Sequence, residues 1–124
     1  FTYNGTATAI FAIKQFTYLF PELRNKKVSV MRATGTGEWP EKDRHKFTEW
    51  LEGHYTDLHF EAVKGKSDLD MVKYLLNREN IFLVMGAYGN KDWPRLFNPD
   101  PAELLIKAIL QPIFIAHICK PRDI

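Results

Sequence analysis

Hydrophobic residues along the chain follow two spacings that alternate from one end to the other. Five short apolar stretches have the composition of β-strands, at residues 1–3, 28–33, 58–62, 81–85 and 113–116. The stretch 58–62 alternates apolar with polar residues, as in a half-buried edge strand. The stretch 81–85 is an unbroken apolar run, as in a central strand of a parallel sheet, and 113–116 is also apolar throughout.

The segments between these strands have apolar residues at helical spacing. They predict helices over residues 6–20, from Pro40 to about Gly53, from Ser67 to residue 76, and over 102–110. Proline and capping residues mark their limits: Pro21 ends the first, Pro40 opens the second, Ser67 caps the third and Pro112 follows the fourth.

The resulting βαβαβαβαβ order predicts an α/β fold. Strands separated by helices of this length imply right-handed crossovers and a doubly wound five-stranded parallel sheet with helices on both faces. A ligand cleft in such a sheet lies beyond the carboxyl ends of the strands. The sequence therefore places Asn4, Ala33 and the loop after Gly86 near one another.

Composition sets the broad class. The chain has 124 residues, of which 45% are hydrophobic, so we expect one domain over residues 1–124. A net charge of +2 without a basic stripe predicts no nucleic-acid partner, and no apolar run is long enough to predict a membrane partner. One cysteine, Cys119, indicates a reducing compartment and a cytoplasmic location. Because the chain opens on what resembles a strand end without methionine, we expect a domain cut from a longer protein.

Candidate catalytic chemistry is sparse, and we predict neither an enzyme nor a metal site. Ser29 lies in a strand and Ser67 at a helix cap, outside any nucleophile-elbow motif. Cys119 has no obvious base beside it. The four histidines lack the spacing of a zinc site; they are His45, His54, His59 and His117.

Three stretches carry a resemblance to a known family. They are residues 83–89 (LVMGAYG) followed by 95–97, the opening residues 3–6 (YNGT), and the closing residues 111–117 (QPIFIAH). Together they resemble the universal stress protein family over essentially the whole chain. The resemblance implies the strand order 3-2-1-4-5, a dimer or tandem pair of domains, and, in many members, an ATP site.

ATP-binding members of that family have an aspartate after the first strand and the motif Gly-x2-Gly-x9-Gly-Ser/Thr after the fourth. Glycines let the backbone approach phosphates, and a hydroxyl and a helix start supply donors. Gly86 and Gly89 match the motif, but Pro99-Asp100 replaces Gly-Ser and Asn4 replaces the aspartate. The resemblance thus implies a vestigial nucleotide cleft, comprising Asn4, Gly5, Ala33, Gly86, Gly89, Asn90 and Asp100.

The residues after this loop predict that the phosphate end is closed. Asp100, Pro101 and Glu103 have the pattern of a helix cap, a first-turn proline and a capping-box glutamate. Their carboxylates would lie where a phosphate binds, and one such repulsion costs on the order of 1 kcal/mol or more. We therefore expect ATP or another adenine nucleotide to bind weakly or not at all, with no cofactor required.

Simpler interpretations of the same residues stay open. Gly86 and Gly89 can permit a tight turn after a buried strand, and Asn4 before Gly5 is an ordinary turn former as well as a candidate ligand to a ribose or base. Lys91 and Arg95 are either solvated charges or contacts for an anion. Residues 35–37 (GTG) match no phosphate-binding pattern and predict only a flexible loop.

The last strand predicts an interaction surface. In the order 3-2-1-4-5 it is an edge, yet Ile113, Phe114, Ile115 and Ala116 offer no charge or proline against pairing with another strand. We expect a homodimer or a tandem partner domain there, unless a helix or residues 118–124 cover it.

Three functional hypotheses follow. The first is a non-enzymatic stress-response domain that acts through dimerisation or domain pairing. The second is a working adenine-nucleotide sensor that uses Lys91 and Arg95. A nucleotide hydrolase comes last, since the sequence offers neither a general base nor metal ligands.

Overall fold

The computed structural model describes residues 1–64, Met71, Leu75, 77–86 and 111–116. Within them lie helices α1 (Ala7–Leu19) and α2 (Glu41–Glu52), a 3₁₀ turn (Pro21–Leu23), and strands β1 (Lys27–Thr34), β2 (Asp57–Lys64), β3 (Leu83–Gly86) and β4 (Ile113–Ala116). Strands β1 to β4 are the second to fifth strands of the sequence prediction. The predicted helix 102–110 lies outside the described residues, as does the helix 67–76 apart from the helical Met71 and Leu75.

Helix α1 forms because its sequence supplies a cap and one apolar face. The Thr6 hydroxyl accepts a hydrogen bond from the Ala9 N–H at 3.3 Å, which satisfies a donor at the helix start. Ala9, Ile13 and Phe16 recur at helical spacing and are buried. The helix ends at Leu19, and Pro21 opens the 3₁₀ turn that follows.

The four strands form two parallel pairs, so the predicted parallel α/β architecture is confirmed at this level. β1 pairs with β2 from Lys27 opposite Asp57 to Thr34 opposite Lys64. β3 pairs with β4 from Leu83 opposite Ile113 to Gly86 opposite Ala116. β2 shows the alternation expected of a half-buried strand.

Residues 1–3, the amino-terminal segment, make hydrogen bonds to both pairs. On one side the Met31 N–H donates to the Phe1 carbonyl at 2.8 Å and the Tyr3 N–H donates to the Met31 carbonyl at 2.9 Å. On the other side the Thr2 N–H donates to the Val84 carbonyl at 3.0 Å. The segment therefore contacts β1 and β3 at once, and its bridge to Met31 is parallel.

The buried side chains among the described residues form two clusters. The first contains Val28, Val30 and Val84 together with residues of α1 and α2, among them Ile13 and Leu51. The second is made of Met31, Met71, Leu75, Leu83 and Met85. Because successive residues of a strand point to opposite faces, Val30 and Met31 assign the clusters to opposite faces of β1. Each fully buried side chain contributes about 1.5–3 kcal/mol to folding.

Several limits differ from the sequence prediction, two of them for a clear physical reason. Pro40 is the N-cap residue of α2 and not its first helical residue, because its backbone is extended (ψ 123°). The end of α2 agrees with the prediction, since the helix ends at Glu52 with Gly53 as C-cap. β3 begins at Leu83 instead of Ile81, whose N–H is bound by the Gln111 side chain at 3.0 Å.

Candidate functional site

The predicted cleft lies at the carboxyl ends of the strands. Asn4 and Gly5 follow the amino-terminal segment, Ala33 is near the end of β1, and Gly86 ends β3. The structure brings Gly86 against the first turn of α1 and Gly5 against the side chain of Arg32. Gly89, Asn90 and Asp100 lie outside the described residues, so their place in the cleft stays a prediction.

Asn4 forms the turn that leads into α1. Its side-chain oxygen accepts hydrogen bonds from the Thr6 N–H at 3.1 Å and from the Thr6 hydroxyl at 2.5 Å. This is the local bonding that makes asparagine a turn former. Because the Asn4 side-chain oxygen already accepts two hydrogen bonds at the start of the helix, only the amide nitrogen of Asn4 remains for a ligand.

Gly5 occupies a position that favours glycine, chiefly because of its backbone angle. Its φ of +82° lies in the left-handed region, which side chains with a Cβ adopt at a cost. A Cβ at this position would also lie 3.0 Å from Arg32 Nη2. The chain therefore turns sharply after the amino-terminal segment and passes directly over the Arg32 guanidinium.

Gly86 allows two backbones to come close together. A Cβ at this position would lie 3.0 Å from the Ala9 nitrogen, the Thr8 carbonyl carbon and Thr8 Cγ2. The first turn of α1 thus packs directly on the end of β3. This gives Gly86 a role in the fold, alongside the predicted role in a nucleotide loop.

Arg32 and a group of aromatic rings border the same edge, and sequence reasoning missed them. The guanidinium carbon lies 5.3 Å from the Tyr3 ring centre and 5.7 Å from that of Trp39. Tyr3 stacks on Trp39 at 5.5 Å and on Phe47 at 4.7 Å. Each cation–π contact of this kind contributes about 0.5–1 kcal/mol or more when desolvated. The one available signal is that Arg32 is the only charged residue within the apolar stretch 28–33.

Trp39 lies beside Tyr3 at the end of the loop after β1, and this loop is stabilised by internal hydrogen bonds. The Thr34 hydroxyl accepts from the Gly37 N–H at 2.9 Å, and the Thr36 hydroxyl accepts from the Glu38 N–H at 3.3 Å. Within the described residues, Trp39 Nε1 is the buried side-chain nitrogen or oxygen that lacks a hydrogen-bond partner. The cleft edge thus holds a cation and a free indole donor, both suited to an acceptor group.

The predicted interaction strand β4 lies beside β3 and is half-exposed along its length. Phe114 packs against Phe16 with ring centres 5.6 Å apart, and Ile113 and Ile115 pack on the second cluster. Its side chains therefore reach both cores. In the part of the chain that the structure describes, β3 is the strand with which β4 pairs.

The described residues contain neither a metal-binding group of side chains nor a membrane-spanning helix. Across residues 1–64, Met71, Leu75, 77–86 and 111–116, no three histidine, cysteine, aspartate or glutamate side chains are grouped to hold a metal ion. The closest acid and imidazole pair, Asp57 and His59 at 2.7 Å, is exposed on β2. No described helix is both long enough and apolar enough to cross a membrane.

Comparisons of the chain with models of protein families, with curated proteins and with solved structures find no match. The interpretation of the site therefore depends on the sequence resemblance and on the geometry of the described residues.

Proposed function

We propose that the chain is a universal stress protein-like domain that acts without catalysis, by pairing with a second copy or a tandem domain, and whose ATP binding is weakened or lost. One observation carries this proposal: the hydrogen bonds from the amino-terminal segment to Met31 and to Val84. They support a single five-stranded parallel sheet in the order β2, β1, amino-terminal segment, β3, β4. Numbered along the chain, that order is 3-2-1-4-5.

The two core clusters support the doubly wound arrangement. One cluster draws on α1 and α2, and the other on the helical residues Met71 and Leu75. Parallel sheets occur almost only where helices cover both faces, because both faces are apolar. The proposed strand order is the one that the family resemblance implies.

The hydrogen bonds of Asn4 and the close contacts of Gly5 and Gly86 support weak nucleotide binding. The Asn4 oxygen is bound within its own turn, and an amide lacks the charge of the aspartate that ATP-binding members carry. Gly86 is packed against Thr8 and Ala9. These glycines and this asparagine have structural reasons to be present that do not involve a ligand.

β4 supports the pairing. A half-exposed apolar edge strand without a charged residue offers its backbone to another strand. Pairing through this edge would continue the sheet into a second copy of the chain. We expect a homodimer with β4 at its interface.

Sedimentation equilibrium tests this interface. Ala116 is half-buried and belongs to neither core cluster, so Ala116→Lys adds a charge to the edge without removing core packing. We expect the wild-type chain to be dimeric and Ala116→Lys to weaken the dimer at least about tenfold, or 1.4 kcal/mol. Ala116→Ser serves as the control and should dimerise like the wild type. A monomeric wild type, or an Ala116→Lys variant that dimerises as tightly, would count against the proposal.

A second candidate is an adenine-nucleotide sensor, and the Arg32 group favours it. The guanidinium next to Gly5 and the unpartnered Trp39 Nε1 would both face acceptor groups of a ligand at this edge. Arg32→Gln separates the two functions, since it should abolish nucleotide binding by a sensor and leave dimerisation unchanged.

A further inference from the structure

The backbone groups of β4 alternate between its two edges. The Leu83 N–H donates to the Pro112 carbonyl at 3.0 Å, so the backbone of residue 112 faces β3. Alternate residues of a parallel strand face the same neighbour, so the backbone groups of Phe114 face β3 as well. Those of Ile113 and Ile115 therefore face the other side, the outer edge of β4, where no strand among the described residues pairs with them.

The side chains of β4 separate by face in the same alternation. Phe114 packs on the first cluster, with its ring centre 5.6 Å from that of Phe16 and 6.3 Å from that of Phe20. Ile113 and Ile115 pack on the second cluster. All of these β4 residues are half-buried, so apolar area remains to be covered on both faces. A strand at the outer edge should therefore present an aromatic side chain to the first face and aliphatic ones to the second.

A second copy of β4 is a strand of that kind. The commonest closed dimer has two-fold symmetry, which brings the same surface of both chains together. Two copies of one edge can form a regular ladder in this way only when they are antiparallel. In a parallel pair the axis would place each residue opposite itself, so both residues would face inward or both outward, whereas a parallel ladder needs one of each.

One antiparallel register brings together the outward-facing groups of both strands. With Phe114 opposite Phe114 of the second copy, Ile113 lies opposite Ile115 on either side of the axis, and each such pair exchanges both of its N–H···O bonds. A register centred on Ile113 would instead place Ile115 opposite Gln111, whose side chain is buried and binds the Ile81 N–H. A register centred on Ile115 would place Ile113 opposite a residue after the end of β4.

The same register matches the side chains of the two copies. Directly opposite residues of an antiparallel pair lie on one face of the sheet, so the two Phe114 rings meet on the first face. They form a non-hydrogen-bonded pair, with Cα atoms about 4.5 Å apart. Ile113 and Ile115 meet on the second face. Each apolar cluster thus continues into its counterpart across the interface.

We propose that the chain forms a two-fold symmetric dimer in which β4 pairs antiparallel with β4 of a second copy and Phe114 lies on the axis. The inference rests on the homodimer of the proposed function and assigns its register. Main-chain hydrogen bonds of Ile113 and Ile115 hold the two strands together, and the alternation of aromatic and aliphatic side chains fixes their alignment.

Disulfide trapping in a Cys119→Ser chain tests the register, because this substitution leaves no thiol except the one introduced. Phe114→Cys should link to its own counterpart on oxidation, since Cα atoms about 4.5 Å apart are within disulfide range. Ile113→Cys and Ile115→Cys should not link alone, because each lies about 8 Å from its own counterpart. An equal mixture of these two variants should link, since the two positions are opposite each other, and this arm keeps Phe114 in its cluster.

Ala116→Cys is the control, because this position lies about 14 Å from its counterpart in the proposed register. We expect at least about tenfold more linked dimer from Phe114→Cys and from the mixture than from the other single variants, measured by non-reducing electrophoresis. If Phe114→Cys does not fold, the mixture decides.

Two results would overturn the register while the dimer stands. One is an Ile113→Cys or Ile115→Cys variant that links alone more readily than their mixture. The other is a Cys119→Ser chain that sediments as a dimer, is weakened by Ala116→Lys, and links neither through Phe114→Cys nor in the mixture. A monomeric Cys119→Ser chain would contradict the proposed function itself, and the register with it.

Discussion

Gly86 lies where the first turn of α1 leaves no room for a side chain. A Cβ there would meet the Thr8 and Ala9 backbone at 3.0 Å, and backbone yields less readily than the end of a side chain. Gly35 is a matched control, because a Cβ there would meet nothing within 4 Å. We expect Gly86→Ala to lower the free energy of unfolding by about 1–3 kcal/mol, as overpacked sites do.

Chemical denaturation measures both variants, and Gly35→Ala should change stability by less than about 1 kcal/mol in either direction. Equal effects of the two substitutions would show that the contact between β3 and α1 is not tight. A neutral Gly86→Ala would favour the interpretation of Gly86 as a nucleotide-loop residue alone.

In a chain whose first residue is Phe1, the free amino group makes stability depend on pH. Burial lowers the pKa of this ammonium from 8.0 to about 5, since the charged form loses its hydration. Between these values the unfolded chain binds a proton that the folded chain does not. The contribution of this group to stability is therefore largest above pH 8, falls as the pH drops below 8, and is fully lost by about pH 5.

The loss amounts to a few kcal/mol, since one pKa unit corresponds to about 1.36 kcal/mol. Phe1 lines a cavity whose other charged or titratable side chains, among the described residues, are Lys26, Lys27, Tyr55 and Arg78. Unfolding curves from pH 5 to 8 should show the slope in the chain with a free Phe1 amine. An acetylated amino group should flatten it, and an identical slope in both chains would contradict the assignment.

At the scale of elements, the start of α1 depends on a small hydrogen-bonded unit. The Thr6 hydroxyl accepts from the Ala9 N–H and donates to Asn4, so it joins the helix cap to the turn. We expect Thr6→Ala to lower the free energy of unfolding by about 1 kcal/mol. Thr56→Ala, which removes one exposed bond to Asn25, should cost less than about 0.5 kcal/mol. Equal losses measured by denaturation would show that the cap contributes nothing.

The elements that sequence reasoning predicted well are those with strong local signals. α1 has a cap, an apolar stripe and Pro21 after its end, and β1 is apolar between polar loops. The start of β3 was placed two residues early, because apolar character at Ile81 and Phe82 does not reveal that the Ile81 N–H bonds to the distant Gln111 side chain. Periodicity describes burial, and strand limits depend on partners far along the chain.

The aromatic group around Arg32 was not predictable for a related reason. Tyr3, Trp39 and Phe47 come from the amino-terminal segment, a loop and α2, so no spacing in the sequence links them. The cleft position of Asn4 and Gly5 could be predicted from topology alone. Their engagement with Thr6 and Arg32 could not, since it depends on how the turn is folded.

At the scale of the whole molecule, the amino-terminal segment connects two small parallel sheets and gives the account its central claim. The proposed strand order is the one that the resemblance to the universal stress protein family implies, yet Asn4, Gly5 and Gly86 have contacts within the fold. Fold and ligand binding can separate in this way, because fold is set by the core and binding by a few residues at its edge. Under the proposed function, we therefore expect this chain to have the proposed strand order without affinity for ATP.

Calorimetric titration of the chain with ATP and Mg²⁺ tests that claim most directly. We expect no saturable heat and no thermal shift at millimolar nucleotide, where a binding free energy of only about −4 kcal/mol would already be detected. The double substitution Pro99→Gly with Asp100→Ser should restore binding, because it returns the family's Gly-Ser pair. Micromolar binding of ATP by the wild-type chain would contradict the account.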